Sequence, residues 1–121
     1  MNKRLLIILV IVVTLFMGCS NSNKEESAPK RTTIVAYMNG NSMLPTYKDG
    51  DLLLFYIDKP IEVNDVVLFN YKTSKLIKRV VEVPTSEDGC YYVAGDNREV
   101  SITTEMMGCI KREDILGVIK N

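Results

Sequence analysis

Three short clusters hold the residue types that chemistry needs. The first is Gly40-Asn41-Ser42-Met43-Leu44-Pro45-Thr46. Its Gly and polar residues make a loop, and Pro45 biases Leu44 towards an extended backbone. A Ser in such a loop can present a hydroxyl nucleophile beside an amide able to bind an oxyanion. The second is Leu76-Ile77-Lys78-Arg79-Val80-Val81. Read as a strand, it puts Leu76, Lys78 and Val80 on one face and Ile77, Arg79 and Val81 on the other. Lys78 then lies between aliphatic neighbours. Burial there favours the neutral amine, which is how a Lys becomes a general base near neutral pH; Arg79 cannot do this, because a guanidinium stays charged. The third is Gly95-Asp96-Asn97-Arg98-Glu99-Val100-Ser101, a tight polar loop in which Asp96 and Asn97 can hold backbone amides and Ser101 adds a second hydroxyl. Taken singly, each cluster has an inert alternative: a turn bonded to its own backbone, a Lys snorkelling from an edge strand into water, and a well-made turn.

Composition removes other chemistry. The 121 residues include no His, which excludes Ser-His-Asp triads, Cys-His dyads and His-ligated metal sites. Three Cys cannot build an all-cysteine tetrahedral zinc site, so neither a metal nor a cofactor is expected. Fifteen Lys plus Arg against fifteen Asp plus Glu leave no basic surplus for a phosphate backbone, and nucleic acid is not an expected partner.

The elements that must position the clusters read as strands. Thr32 to Met38, Asp51 to Ile57, Asp65 to Tyr71, Leu76 to Val83 and Tyr91 to Ala94 are short and rich in Val, Ile, Tyr and Phe, with Gly, Pro, Asn and Asp between them. Such spacing predicts an all-β barrel or sandwich. Ile115 to Ile119 is a closing strand or a short helix, since Gly117 weakens both readings.

The N-terminal part lies outside that fold. Met1-Asn2-Lys3-Arg4 is basic, and Leu5 to Met17 is apolar apart from Thr14. By length this is a signal-peptide core, the alternative being a membrane anchor. Gly18-Cys19-Ser20 resembles a bacterial lipobox, in which the Cys is lipidated and becomes the mature N-terminus, although Phe16 and Met17 depart from the usual pattern. Residues 20–31 (SNSNKEESAPKR) have too little apolar surface to offset their ordering entropy and read as a flexible tether. The expected organisation is a signal or anchor segment at 1–19, a tether at 20–31 and one mildly acidic domain at 32–121.

Together the clusters resemble the bacterial type I signal peptidases, membrane-bound Ser/Lys proteases. Ser42-Met43-Leu44-Pro45-Thr46 is similar to the SMxPT nucleophile box, and Asp49-Gly50-Asp51 to the turn that follows it. Asn64-Asp65-Val66-Val67-Leu68-Phe69 is similar to the GDVVxF strand with Asn64 in place of Gly, and Ile77-Lys78-Arg79-Val80-Val81 to the box of the general-base Lys. Tyr92-Val93-Ala94-Gly95-Asp96-Asn97-Arg98 with Ser101 resembles the YxxGDNRxxS box. Several boxes in the right order are far more specific than one.

The resemblance implies a twisted β-ribbon barrel shared with the self-cleaving domain of LexA-type repressors. It implies Ser42 as nucleophile, Lys78 as base, Ser101 orienting Lys78, and Gly95, Asp96 and Asn97 supporting. Met43 and Ile77 would shape small apolar substrate pockets. The implied substrates are the signal peptides of exported preproteins, cut after small residues on the outer face of the cell membrane, with the protein held there by lipid on Cys19 or by segment 5–17. If Cys19 is lipidated, Cys90 and Cys109 remain as an even pair in a compartment where disulfides persist, and they are expected to bond. The last box departs from the family, with Thr103 for Asp and Glu105 for Arg. That loses the usual ion pair, and a carboxylate near Lys78 would raise its pKa. Two further readings stand beside the active peptidase: a catalytically silent relative that binds peptides or partners, and a self-cleaving LexA-like regulator.

Overall fold

The computed structural model describes residues 28–85 and 87–121. The expected signal segment, Cys19 and the tether as far as residue 27 lie outside the described residues. Among the described residues no helix is long and apolar enough to cross a membrane. The unit from Arg31 to Asn121 is described on its own.

Its strands form where β-branched and aromatic residues concentrate: β1 (Thr33–Tyr37), β2 (Leu52–Tyr56), β3 (Val66–Tyr71), β4 (Ser74–Glu82), β5 (Cys90–Ala94), β6 (Ile110–Lys111) and β7 (Ile115–Ile119). They join into one seven-stranded sheet of order β1-β2-β7-β3-β4-β5-β6, and every pairing is antiparallel. The run after Gly108, with its short β6 and a 3-10 turn at Arg112–Asp114, and a four-residue helix α1 (Thr104–Met107) are additions that the sequence pattern does not show. Four residues are too few for a 3.6-residue period to appear.

Strand β3 is covered on both sides. Val67 and Phe69 enter one core with Val80, Val93, Met107, Ile110, Ile115 and Val118. Val66 and Leu68 enter a second with Met38, Met43, Leu53, Phe55 and Ile77. The period-two alternation of side chains thus feeds two cores from one strand.

Residues Ile115–Ile119 are a strand, and Gly117 is compatible with it for a reason of contact rather than propensity. A Cβ at Gly117 would lie 2.7 Å from Phe55 Cβ, so the absent side chain is what lets fully buried Phe55 cross β7. Asn64 has φ 77°, a left-handed conformation that Gly adopts without strain and Asn tolerates better than most residues. That accounts for Asn where the signal peptidase box has Gly.

Candidate active site

Lys78 is on β4, directly opposite Val67 of β3. β4 is paired with β3 through Lys78 and with β5 from Arg79 onward, so the strand is internal to the sheet rather than an edge. Lys78 is 5% exposed, and burial holds its pKa below the ordinary 10.5. No hydrogen bond or neighbouring charge among the described residues contributes to that shift. The snorkelling alternative therefore fails, and the amine is biased towards its neutral, proton-accepting form.

Ser42 faces the same cleft. This cavity of about 420 Å3 is walled by Ala36–Asn39 at the end of β1, by Ser74–Lys78 of β4, and by Ser42 and Leu68. Ile77 lines it too. Met43 does not: it is fully buried in the second core beneath the loop, because the turn that exposes Ser42 directs the next side chain inward. Tyr47 N–H donates to the Met43 carbonyl at 2.9 Å and Leu44 N–H to Asn41 at 3.2 Å, giving the loop a tight local frame in which Leu44–Pro45 is cis. No hydrogen bond joins Ser42 Oγ to Lys78 Nζ among the described residues; catalytic hydrogen bonds are commonly long until substrate binds.

The third cluster holds Ser42 by its carbonyl. Asn97 N–H donates to the Ser42 carbonyl at 2.9 Å, and Ser101 Oγ donates to the same oxygen at 3.1 Å. The side-chain amide of Asn97 donates to the Asn41 carbonyl at 3.1 Å. Ser101 was expected on Lys78; the structure instead places its hydroxyl on the peptide that follows Ser42, because the loop crosses over the nucleophile turn. Gly95 is required for that crossing. A Cβ there would be 1.9 Å from Ser101 Oγ and 2.6 Å from the Ser42 carbonyl. With its carbonyl secured, Ser42 keeps an N–H that donates to no backbone carbonyl among the described residues, the kind of amide an oxyanion needs.

Asp96 ties all three clusters together. Arg79 Nε and Nη2 donate to the two Asp96 oxygens, both at 2.7 Å, a bidentate fork that fixes orientation as well as charge. Thr46 Oγ1 donates to Asp96 Oδ2 at 2.5 Å, and Arg79 Nη1 to the Asn64 carbonyl at 2.7 Å. The Arg79 guanidinium, by hydrogen bonding, holds the Asp96 carboxyl below the usual carboxylate range, and the Thr46 hydroxyl adds to it. Arg79 thus has a role that strand alternation alone leaves blank: it braces the nucleophile turn from the residue next to the base. The sequence signal was its position beside Lys78, opposite in face, facing an Asp that a loop could bring back.

The two loop departures also have a local reason. Thr103 is the N-cap of α1, its Oγ1 accepting from Met106 N–H at 3.3 Å, and Glu105 lies in the first turn, where an acidic residue suits the helix dipole. Burial, and not the Glu105 carboxylate, is what lowers the Lys78 pKa. Cys90 and Cys109 are joined by a disulfide with a 2.09 Å S–S distance.

No curated protein matches the chain. The Peptidase S24-like family model matches residues 18–119, a span that contains Ser42, Lys78 and the whole clamp around them. With a Ser and a buried Lys on one cleft, and with that match over most of its length, the chain belongs to the Peptidase S24-like family and is at that level a serine-type peptidase.

Proposed function

We propose that this protein is a Ser/Lys endopeptidase held at the outer face of the cell membrane, cleaving signal peptides from exported preproteins after small residues. The observation that carries the catalytic part is the shared cleft, with Ser42 and the buried, pKa-lowered Lys78 on its walls. Neutral Lys78 takes the Ser42 proton as Oγ attacks the scissile carbonyl and returns it to the leaving amine. Water then hydrolyses the acyl-enzyme. The Ser42 N–H donates to the oxyanion, where charge develops in the transition state. The substrate class and the membrane location rest on the signal peptidase boxes and on the apolar 5–17 segment with Cys19 after it.

The family match equally suits a peptidase that cuts its own chain. One experiment separates the two: the full chain and its Ser42→Ala variant are placed in membranes with a preprotein carrying an Ala-x-Ala site, and both the preprotein and the intact mass of the protein are followed. Ser42-dependent loss of the preprotein supports the signal peptidase. Ser42-dependent shortening of the protein alone, independent of its concentration, supports self-cleavage. Processing by Ser42→Ala at the wild-type rate eliminates Ser42 as nucleophile.

A further inference from the structure

We propose that the Cys90–Cys109 disulfide is a positioning bond for the nucleophile, and that reducing it lowers turnover while the fold persists. This rests on the assignment of Ser42 as nucleophile. The three residues that hold or clear the Ser42 carbonyl, Gly95, Asn97 and Ser101, all lie within the segment that the disulfide closes. The upstream end of that segment is strand β5, held in the ladder to β4. Its downstream end is held by a shorter ladder and by two core side chains, Met107 and Ile110. Strand β6 makes two register pairs, Cys90 with Lys111 and Tyr91 with Ile110. Helix α1 adds one hydrogen bond, Thr104 Oγ1 to the Val93 carbonyl at 3.0 Å, and buried Met107.

Between these points Arg98, Glu99, Val100, Ile102 and Thr103 are exposed, so little packing fixes where Ser101 falls. Exposed stretches with few buried contacts are the first to open locally. A covalent link at Cys109 limits that opening. The bond joins an exposed residue, Cys109, to a buried one, Cys90. A dithiol reductant delivers two electrons and two protons, leaving two Cys thiols, and is itself oxidised to a disulfide.

The test uses the full chain in detergent, oxidised and after treatment with dithiothreitol, with amide hydrogen exchange and preprotein cleavage read side by side. On reduction, exchange at the Asn97 amide should quicken at least about tenfold, while β3 amides keep their protection, as expected for a local opening. Turnover should fall about tenfold with KM little changed, and reoxidation should restore it. Ser101→Ala should cause a similar fall when oxidised and add little when reduced, since one clamp is being lost twice; Cys90→Ser with Cys109→Ser should match the reduced protein. Unchanged Asn97 exchange on reduction overturns the proposal, as does loss of protection throughout β3, which makes the bond a general staple. Additive losses for Ser101→Ala and reduction also overturn it. Faster Asn97 exchange in a protein whose oxidised form has no Ser42-dependent activity upholds the bracing of the Ser42 loop by the disulfide and sinks the peptidase reading on which its catalytic consequence rests.

Discussion

Strand β4, internal to the sheet, holds Lys78 opposite Val67 and above a packed core, whereas the Gly95–Ser101 loop holds Ser42 through two hydrogen bonds to one carbonyl and crosses largely exposed ground. The base is placed by packing and the nucleophile by directional contacts. Packing is insensitive to small changes of charge at the surface, and it also supplies the desolvation that lowers the Lys pKa. A clamp of hydrogen bonds is precise but fails at a single atom. The two halves should therefore respond differently to substitution, to pH and to reductant.

The largest contrast is in the dyad itself. Ser42→Ala and Lys78→Met should each reduce turnover on the order of 10^4-fold, and the double variant should lose little more, because residues acting as a unit are non-additive. Stability should separate them. Lys78→Met removes a buried amine and should raise unfolding free energy by about 1 kcal/mol, while Ser42→Ala leaves the carbonyl clamp in place. The pH dependence has a definite sign. The folded pKa of Lys78 is below 10.5, so between it and the unfolded value the unfolded chain binds more protons. Stability should rise with pH across that window, and activity should rise through its lower edge as the amine becomes neutral. Denaturant unfolding and pH–rate profiles check both. A flat wild-type profile would remove Lys78 from the role of base.

Next is the clamp at its tightest point. Gly95→Ala puts a methyl group 1.9 Å from Ser101 Oγ and 2.6 Å from the Ser42 carbonyl. Ser101 can rotate away, but the Ser42 carbonyl is backbone and must shift. The expected cost is about 1–3 kcal/mol in stability, as for an overpacked core, and about 100-fold in turnover from displacing the nucleophile by a fraction of an ångström. Wild-type turnover in Gly95→Ala would mean that the loop contact does not position Ser42.

A smaller effect is expected at Asp96, which links the two halves. Its carboxyl is held low by the Arg79 fork, so the stabilisation is present above the unfolded carboxylate pKa and is lost as pH falls through the depressed folded value. Asp96→Asn keeps the shape but not the charge. It should cost about 1–2 kcal/mol at neutral pH and flatten the acid limb of the stability curve. Turnover should drop about tenfold, less than for Gly95→Ala, because Asn97 and Ser101 still hold the Ser42 carbonyl.

Much of this arrangement was legible in the residues. The five strand stretches were visible because alternating or continuous apolar residues between turn formers have few other ways to fold, whereas the closing run left strand and short helix both open because Gly117 weakens each. Lys78 between Leu76 and Val80 left a buried amine and a snorkelling one both open, and its 5% exposure on β4 decides between them. What the sequence could not carry is which oxygen a hydroxyl finds: Ser101 and Ser42 meet across 59 residues, and no local pattern encodes that meeting. Met43 illustrates the same limit, since a residue next to a nucleophile can line the cleft or seat the loop. Helix α1 and strand β6 are too short to show a period. The bidentate tie of Arg79 to Asp96 is likewise tertiary, although both residues lay in boxes read as chemical.

The smallest expected effect sharpens the comparison most, because it is a near-absence that packing requires. Glu105 is exposed, and Lys78 owes its lowered pKa to burial rather than to any neighbouring carboxylate. If β4 places the base by packing alone, Glu105→Gln should leave the Lys78 limb of the pH–rate profile where it is, within about 0.2 pH units. For comparison, a full unit corresponds to about 1.4 kcal/mol of interaction. Stability should change by less than about 0.5 kcal/mol, the amount lost when an exposed acidic residue in the first turn of a short helix becomes neutral. Thr103→Ala, which removes the cap on the same helix, should cost about 1 kcal/mol and slow turnover mildly, again without moving the pH limb. A downward shift of half a unit or more in Glu105→Gln would show that the loop's charge reaches the base. The base would then depend on the loop as the nucleophile does, and the division between a packed half and a hydrogen-bonded half would fail.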